Sequence, residues 1–156
     1  MNKKQLDILN DYFLHSALHL LTMEEQCLRR ACAEDLSIRE LHVLEAVSDL
    51  RGKGKNTMAE VARYLHLSPA SLTTAVNVLV KKGYVERKYS TADRRVIYVE
   101  LTEAGETANR KYLDFVRDMI LEIGRGLDEE SADSLISSII TLSDYLEANA
   151  EAAEQR

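Results

Sequence analysis

From Leu6 to about Ala33 the apolar residues Leu6, Leu9, Phe13, Ala17, Leu20 and Leu21 recur at helical spacing with no Gly or Pro between them, which predicts one long helix. Asp35-Leu36-Ser37 ends it. Ser37, with Glu40 three residues on, makes a capping box for a second helix to about Leu50, whose inward stripe is Leu41, Leu44, Ala46 or Val47, and Leu50. Arg51-Gly52-Lys53-Gly54-Lys55-Asn56 reads as a flexible turn. Thr57 and Glu60 form another capping box, before a short helix with Met58, Val61, Ala62 and Leu65 on one face. After His66-Leu67, Ser68 N-caps a further helix with Pro69 at its first position, where a missing amide hydrogen costs nothing, and Gly83 ends it as a left-handed cap.

Two short helices joined by so tight a turn match the helix-turn-helix plan. The second has an inward stripe of Leu72, Ala75, Val76, Leu79 and Val80, which leaves Ala70, Ser71, Thr73, Thr74, Asn77 and Lys81 facing outward. That face is small and polar, as a helix lying in the major groove requires. Two β-branched and aromatic runs come next, Val85 to Tyr89 and Val96 to Leu101, around a turn that carries Asp93, Arg94 and Arg95. A hairpin tipped with arginines directly after a helix-turn-helix is a wing, and arginine suits a narrow, electronegative minor groove.

Thr102 caps a long helix to about Arg125 with Ala108, Tyr112, Phe115, Met119 and Ile123 along one side; Gly124 and Gly126 break it. Asp128 caps the last helix, dominated by Leu135, Ile136, Ile139, Ile140, Leu142 and Leu146, and the polar stretch from Glu147 frays. The fold class is therefore mostly α with a small β wing. An N-terminal helix over 1–36, a winged helix-turn-helix over 37–101, C-terminal helices over 102–150 and a tail over 151–156 make up the chain. The long terminal helices have apolar stripes that the winged module cannot cover, and pairing them with the same helices of a second copy is the simplest solution. A two-fold homodimer would also present two recognition helices to a palindrome.

Charge sharpens this picture. The whole chain has a formal net charge of -6, which argues against a nucleic-acid partner. Residues 51–99, however, hold ten basic and three acidic residues, a balance of +7 that leaves -13 on the rest. A basic module of this kind is the footprint of phosphate binding, with Lys53, Lys55, Arg63, Lys81, Lys82 and Lys88 as the phosphate contacts, Ser71, Thr73, Thr74 and Asn77 at base edges, and Ser68 and Ala70 in the same DNA-binding set. A solvated charged face is the plainer alternative. With 156 residues, 46% hydrophobic, the chain can bury a core, and no apolar run is long enough to span a bilayer. Two cysteines fit a reducing compartment, so the expected setting is cytoplasmic, without membrane association.

The segments Leu79-Val80-Lys81-Lys82-Gly83-Tyr84-Val85-Glu86-Arg87, Asp93-Arg94-Arg95 and Val99-Glu100-Leu101-Thr102-Glu103-Ala104-Gly105 resemble the MarR family of bacterial transcription regulators at compatible spacings. The likeness covers nearly the whole chain. It implies that Arg95 is the minor-groove arginine, Asp93 the carboxylate that orients the wing, and Arg94 the neighbouring candidate. Met23-Glu24-Glu25 with Leu28-Arg29, and Leu36-Ser37-Ile38 with Glu40-Leu41-His42, are similar to the branch that represses fatty-acid biosynthesis genes, which implies acyl chains on acyl carrier protein as the modulating ligand.

Other readings compete at several positions. His15 and His19 have a spacing that can hold a metal, but residues 102–126 contain no further histidine, and structural or surface histidines are the expectation, with no metal site. Cys27 and Cys32 lie about 140° apart around a helix and cannot bridge within it, so inert thiols compete with a single redox-active one. Tyr12, Phe13, Ala17 and Met23 either line a small-ligand pocket or belong to plain core. The glycines of residues 52–54 do not complete a phosphate loop. No nucleophile, base and acid are arranged for catalysis, so neither an enzyme nor a cofactor is expected. Small-aromatic, redox or metal-responsive regulation, and a winged-helix module binding an acidic protein, remain the alternatives to an acyl-responsive repressor of double-stranded DNA.

Overall fold

The computed structural model describes residues 1–16, 19, 22, 23 and 35–154. Asn2 opens α1 (Lys3–Asp11) through a reciprocal capping box with Gln5, a start earlier than the apolar stripe suggests. The helix expected to run unbroken from Leu6 instead widens into a π-helical turn at Tyr12–Ser16. Such a turn takes in one more residue than an α turn and so rotates the next residues around the axis. Ala17, Cys27 and Cys32 lie outside the described residues.

The packing of the chain divides it into two units, Met1–Leu113 and Asp114–Arg156. In the first, α2 (Ile38–Gly52) begins at the expected capping box: the Ser37 hydroxyl accepts from the Glu40 amide, and Glu40 accepts from the Ser37 amide at 2.6 Å. Its interior residues exceed a single stripe. Leu41, Val43, Leu44, Ala46, Val47 and Leu50 are all buried, because the helix is packed by α3 (Met58–Tyr64), α4 (Pro69–Lys82) and β2 (Ile97–Leu101). Leu72 and Leu79 of α4, wholly buried, meet this core, and each such side chain contributes about 1.5–3 kcal/mol.

The helix ends share one design. After α2, the Lys55 amide donates to Leu50 and the Gly54 amide to Arg51; after α3, Leu67 donates to Ala62 and His66 to Arg63; after α4, Tyr84 donates to Leu79 and Gly83 to Val80. Each is a Schellman closure with a left-handed residue at its centre, Gly54 at φ 68°, His66 at 50° and Gly83 at 81°. His66 is the one non-glycine residue with positive φ among the described residues, and it forms the turn between the two short helices. The expected capping box at Thr57 is half made. Its hydroxyl accepts from the Glu60 amide, but the Glu60 carboxylate turns away to Arg63 at 2.7 Å.

Strand β1 (Val85–Tyr89) pairs antiparallel with β2, with Val85 opposite Leu101 and Tyr89 opposite Ile97. Thr57 adds an isolated bridge to Tyr98. Val96, expected within the strand, lies in the turn, where its amide donates to the Asp93 carbonyl. Helix α5 (Glu103–Gly124) starts at Thr102, whose hydroxyl donates to the Gly83 carbonyl at 2.6 Å and accepts from the Gly105 amide. The boundary between the two units falls within α5.

In the second unit Asp128 accepts from the Ser131 amide at 2.8 Å, and α6 (Glu129–Glu154) extends into the stretch expected to fray. Ile120, Ile123, Leu135, Ile136, Ile139, Ile140 and Leu146 are exposed in the single chain. Among the described residues no helix is long and apolar enough to cross a membrane.

Candidate nucleic-acid interface

The outward face of α4 is set by its inward one. Leu72, Val76 and Leu79 are fully buried, so Ala70, Ser71, Thr73, Thr74, Asn77 and Lys81 are turned to solvent. Val80, assigned to the buried stripe, is 39% exposed instead. At 100° per residue it sits about 80° around the helix from Leu72, on the shoulder of the outward face. The hydroxyls at the start of the helix are already engaged. Ser68 caps the Ser71 amide at 3.1 Å and its oxygen lies 2.8 Å from that of Ser71; Thr73 donates to the Pro69 carbonyl and Thr74 to that of Ala70. With their protons committed to the backbone, the two threonines present lone pairs and methyl groups outward.

The basic residues differ in how much they are held. Lys53 is paired with Asp49 at 2.7 Å, Arg63 with Glu60 at 2.7 Å and Lys88 with Glu86 at 3.0 Å, all on the surface. The hydrogen bond and charge of Asp49 raise the Lys53 ammonium above its usual range, and Glu86 does the same for Lys88. Lys55, Lys81 and Arg94 are exposed.

Lys82 has a different environment. It donates to both Glu40 oxygens at 2.9 Å and to the carbonyl of Asp35, and its side chain is 25% exposed. Burial by itself would raise the Glu40 carboxyl; the bonds from Lys82 and from the Ser37 amide and hydroxyl, with the charge of Lys82, outweigh it and hold Glu40 below its ordinary range. Tyr84 donates to the Asp35 carboxylate at 2.7 Å, and burial, this bond and the charges of Asp35 and Glu40 push its phenol up to about 12. Lys82 and Tyr84 thus fasten the end of α4 to the start of α2.

At the wing tip Asp93 accepts from the Arg95 amide at 2.9 Å and from its Nε at 3.2 Å, and these bonds lower the Asp93 carboxyl. The remaining guanidinium nitrogens of Arg95 point away into solvent, the side chain being 92% exposed. The Ser90 hydroxyl tightens the same turn by accepting from the amides of Ala92 and Asp93.

The MarR family model matches residues 34–96. FabT of Streptococcus pneumoniae, solved in complex with DNA, is 31% identical, with a TM-score of 0.82 over 92% of this chain and 98% of that one.

The chain belongs to the MarR family.

Transcriptional regulator AdcR of Streptococcus pyogenes is 28% identical over 85% of this chain and 86% of its own length. The HTH-type transcriptional regulator YwhA of Bacillus subtilis is 28% identical over 57% of this chain; the chain spans 64% of YwhA and 50% of a second regulator, YpoP.

Membership in the MarR family also gives the glycine of its Leu-Thr-x-x-Gly motif a physical reason. A Cβ on Gly105 would overlap the carbonyl oxygen of Tyr84, so glycine is what lets the start of α5 lie against the exit of α4. The motif is visible in the sequence, whereas the Tyr84 carbonyl that demands the glycine is brought to it by the fold.

Of the residues considered for a ligand, Tyr12 and Met23 are exposed in the single chain, Phe13 falls in the π-helical turn, and Ala17 lies outside the described residues. His15 is 3.8 Å from Asp11 on the surface, and no group of three or more metal-ligating side chains occurs among the described residues. The buried Asn56 carries no local signal in the sequence. It lies at the end of the turn read as flexible, and its partners are in β2.

Proposed function

We propose that this chain is a homodimeric, sequence-specific DNA-binding transcription repressor that reads a palindromic operator. The observation that carries the reading is the outward face of α4, small, polar and ending in the exposed Lys81, followed by a wing whose arginine is held at its base and open at its tip. Thr73 and Thr74 suit bases that present an amino donor or a thymine methyl, and Asn77 suits the paired edge of adenine. Lys53, Lys55, Arg63, Lys81 and Lys88 meet phosphates. Lys82, named as a phosphate contact from sequence, serves instead as the fastening of α4 to α2, since a phosphate would have to displace Glu40. The likeness to a DNA-bound FabT supports the reading.

The second copy covers the apolar stripes of α1, α5 and α6. The sequence similarity of residues 23–42 to the fatty-acid branch, together with the likeness to FabT, favours acyl chains on acyl carrier protein as the ligand that modulates binding.

An electrophoretic shift with the promoter of the protein's own operon, at low salt and with acylated and free acyl carrier protein added in turn, tests both parts. A shift that tightens only with the acylated form is the expected result. No shift on any such fragment overturns the repressor reading, and a shift indifferent to acylation removes the ligand.

A further inference from the structure

The turn at residues 51–56 ends in a side chain whose partners lie in the wing. Asn56 is 3% exposed. Its Nδ2 donates to the Val99 carbonyl at 2.8 Å and to Glu100 Oε1 at 3.1 Å, while its backbone carbonyl accepts from the Val99 amide at 2.9 Å. Val99 is wholly buried in the middle of β2, opposite Arg87. In an antiparallel pair every second residue turns its amide and carbonyl away from the partner strand, and a buried pair left unsatisfied is costly. Asn56 satisfies both outer groups of Val99, acting as a one-residue third strand.

The next residue is Thr57, which caps α3 and bridges to Tyr98. Two consecutive residues thus tie the strand leading to the arginine tip to the first helix of the helix-turn-helix. We propose that Asn56 is the positioning residue of the wing, which aims Arg95 at the minor groove and so carries the preference for the sequence flanking the operator. This rests on the DNA-binding reading above.

The chemistry is particular to asparagine. The side chain must donate to a carbonyl and to a carboxylate at once, so aspartate would set a like charge against Glu100, and alanine would leave the Val99 carbonyl unpaired. Arg95 stands at the turn just before β2, four residues from Val99 and so at most about 13 Å from it, and a tilt of roughly 10° at Val99 moves the tip by up to about 2 Å, enough to leave the ~2.7–3.2 Å window of a hydrogen bond. The recognition helix also packs on α3 and β1, but its own anchors, the wholly buried Leu72, Val76 and Leu79 and the bonds of Lys82, do not involve Asn56.

The test uses fluorescence-anisotropy titration of wild type, Asn56→Ala, Arg95→Ala and the double variant. The duplexes carry an operator core selected by the wild-type protein, with A·T-rich or G·C-rich flanks, and a third duplex has one core base pair changed. Wild type should bind the A·T-flanked duplex several-fold more tightly. Each single variant should bring that ratio to within about twofold of unity and keep the discrimination against the altered core, and the double variant should lose no more than either single one. Should thermal melting show Asn56→Ala unfolded, Asn56→Ser carries the same comparison. A retained flank ratio in the folded Asn56 variant, or equal weakening on all three duplexes, overturns the proposal while Arg95→Ala still shows the minor-groove contact. A wild type indifferent to the flanks overturns the minor-groove reading and this proposal together.

Discussion

Gly83 adopts a φ of 81° with open space where a Cβ would point, whereas a Cβ on Gly105 would meet the backbone of Tyr84. The two glycines should therefore fail differently. Gly83→Ala incurs only the left-handed backbone, about 1 kcal/mol. Gly105→Ala must push two backbone segments apart, about 3 kcal/mol or more. Urea denaturation of the two variants checks the order, and equal losses would show that α5 does not bear on Tyr84. Gly83 was legible in the sequence because a left-handed cap is a local event after a helical stripe. The reason for Gly105 was not, since its neighbour is set by the tertiary path. The same scale holds a test of the phosphate contacts. Asp49 competes with DNA for Lys53 across a weak, solvent-exposed surface pair. Asp49→Asn should therefore tighten nonspecific DNA binding about twofold at low salt, with the gain vanishing as salt rises. A salt-independent gain, or none, would place Lys53 away from the phosphates.

At the scale of elements, helices α2, α3 and α4 were readable from their caps, because Ser37 with Glu40, Thr57 and Ser68 with Pro69 act within one turn of chain. What holds the elements to one another was not readable, since the Lys82 and Asn56 bonds join residues more than forty positions apart. No short-range pattern announces such a pairing, and lysine at the end of a basic helix reads as a phosphate contact. The Glu40 and Lys82 pair makes the difference measurable. Because the carboxyl is held below its ordinary range in the folded state, its contribution is fully present above the unfolded value and is lost as pH falls through the lower folded value. The stability gap between wild type and Glu40→Gln should therefore be constant near neutrality, about 2 kcal/mol, less than the ~3–5 of a fully buried pair because Lys82 can rehydrate. It should close on acidification below the ordinary carboxylate range. Denaturant melts from pH 7 to pH 3 provide the check, and a gap that widens with acid would mean that burial, not Lys82, dominates Glu40.

For the whole molecule, the decisive feature is apolar surface that the single chain leaves in water. The stripes of α5 and α6 keep helical spacing as strictly as that of α4 does, yet Ile136, Ile139, Ile140 and Leu146 are each more than half exposed. Their periodicity made these helices legible in the sequence, and the same periodicity without internal burial is the ground for the second copy proposed above. Leu142 lies three residues beyond Ile139 on the same helix and is partly covered already. Charge at these two positions should be costly only where the stripe meets another apolar face. Ile139→Glu combined with Leu142→Glu should give a folded monomer by light scattering, with far-ultraviolet circular dichroism close to wild type. Its affinity for a half-site should be preserved, because α4 and the wing lie in the other unit. Affinity for the full palindrome should fall by a factor on the order of 10²–10⁴, since the second half-site is no longer delivered at high effective concentration. A variant that stays dimeric moves the interface off α6, and one that loses half-site binding as well would show that the two units do not fold independently.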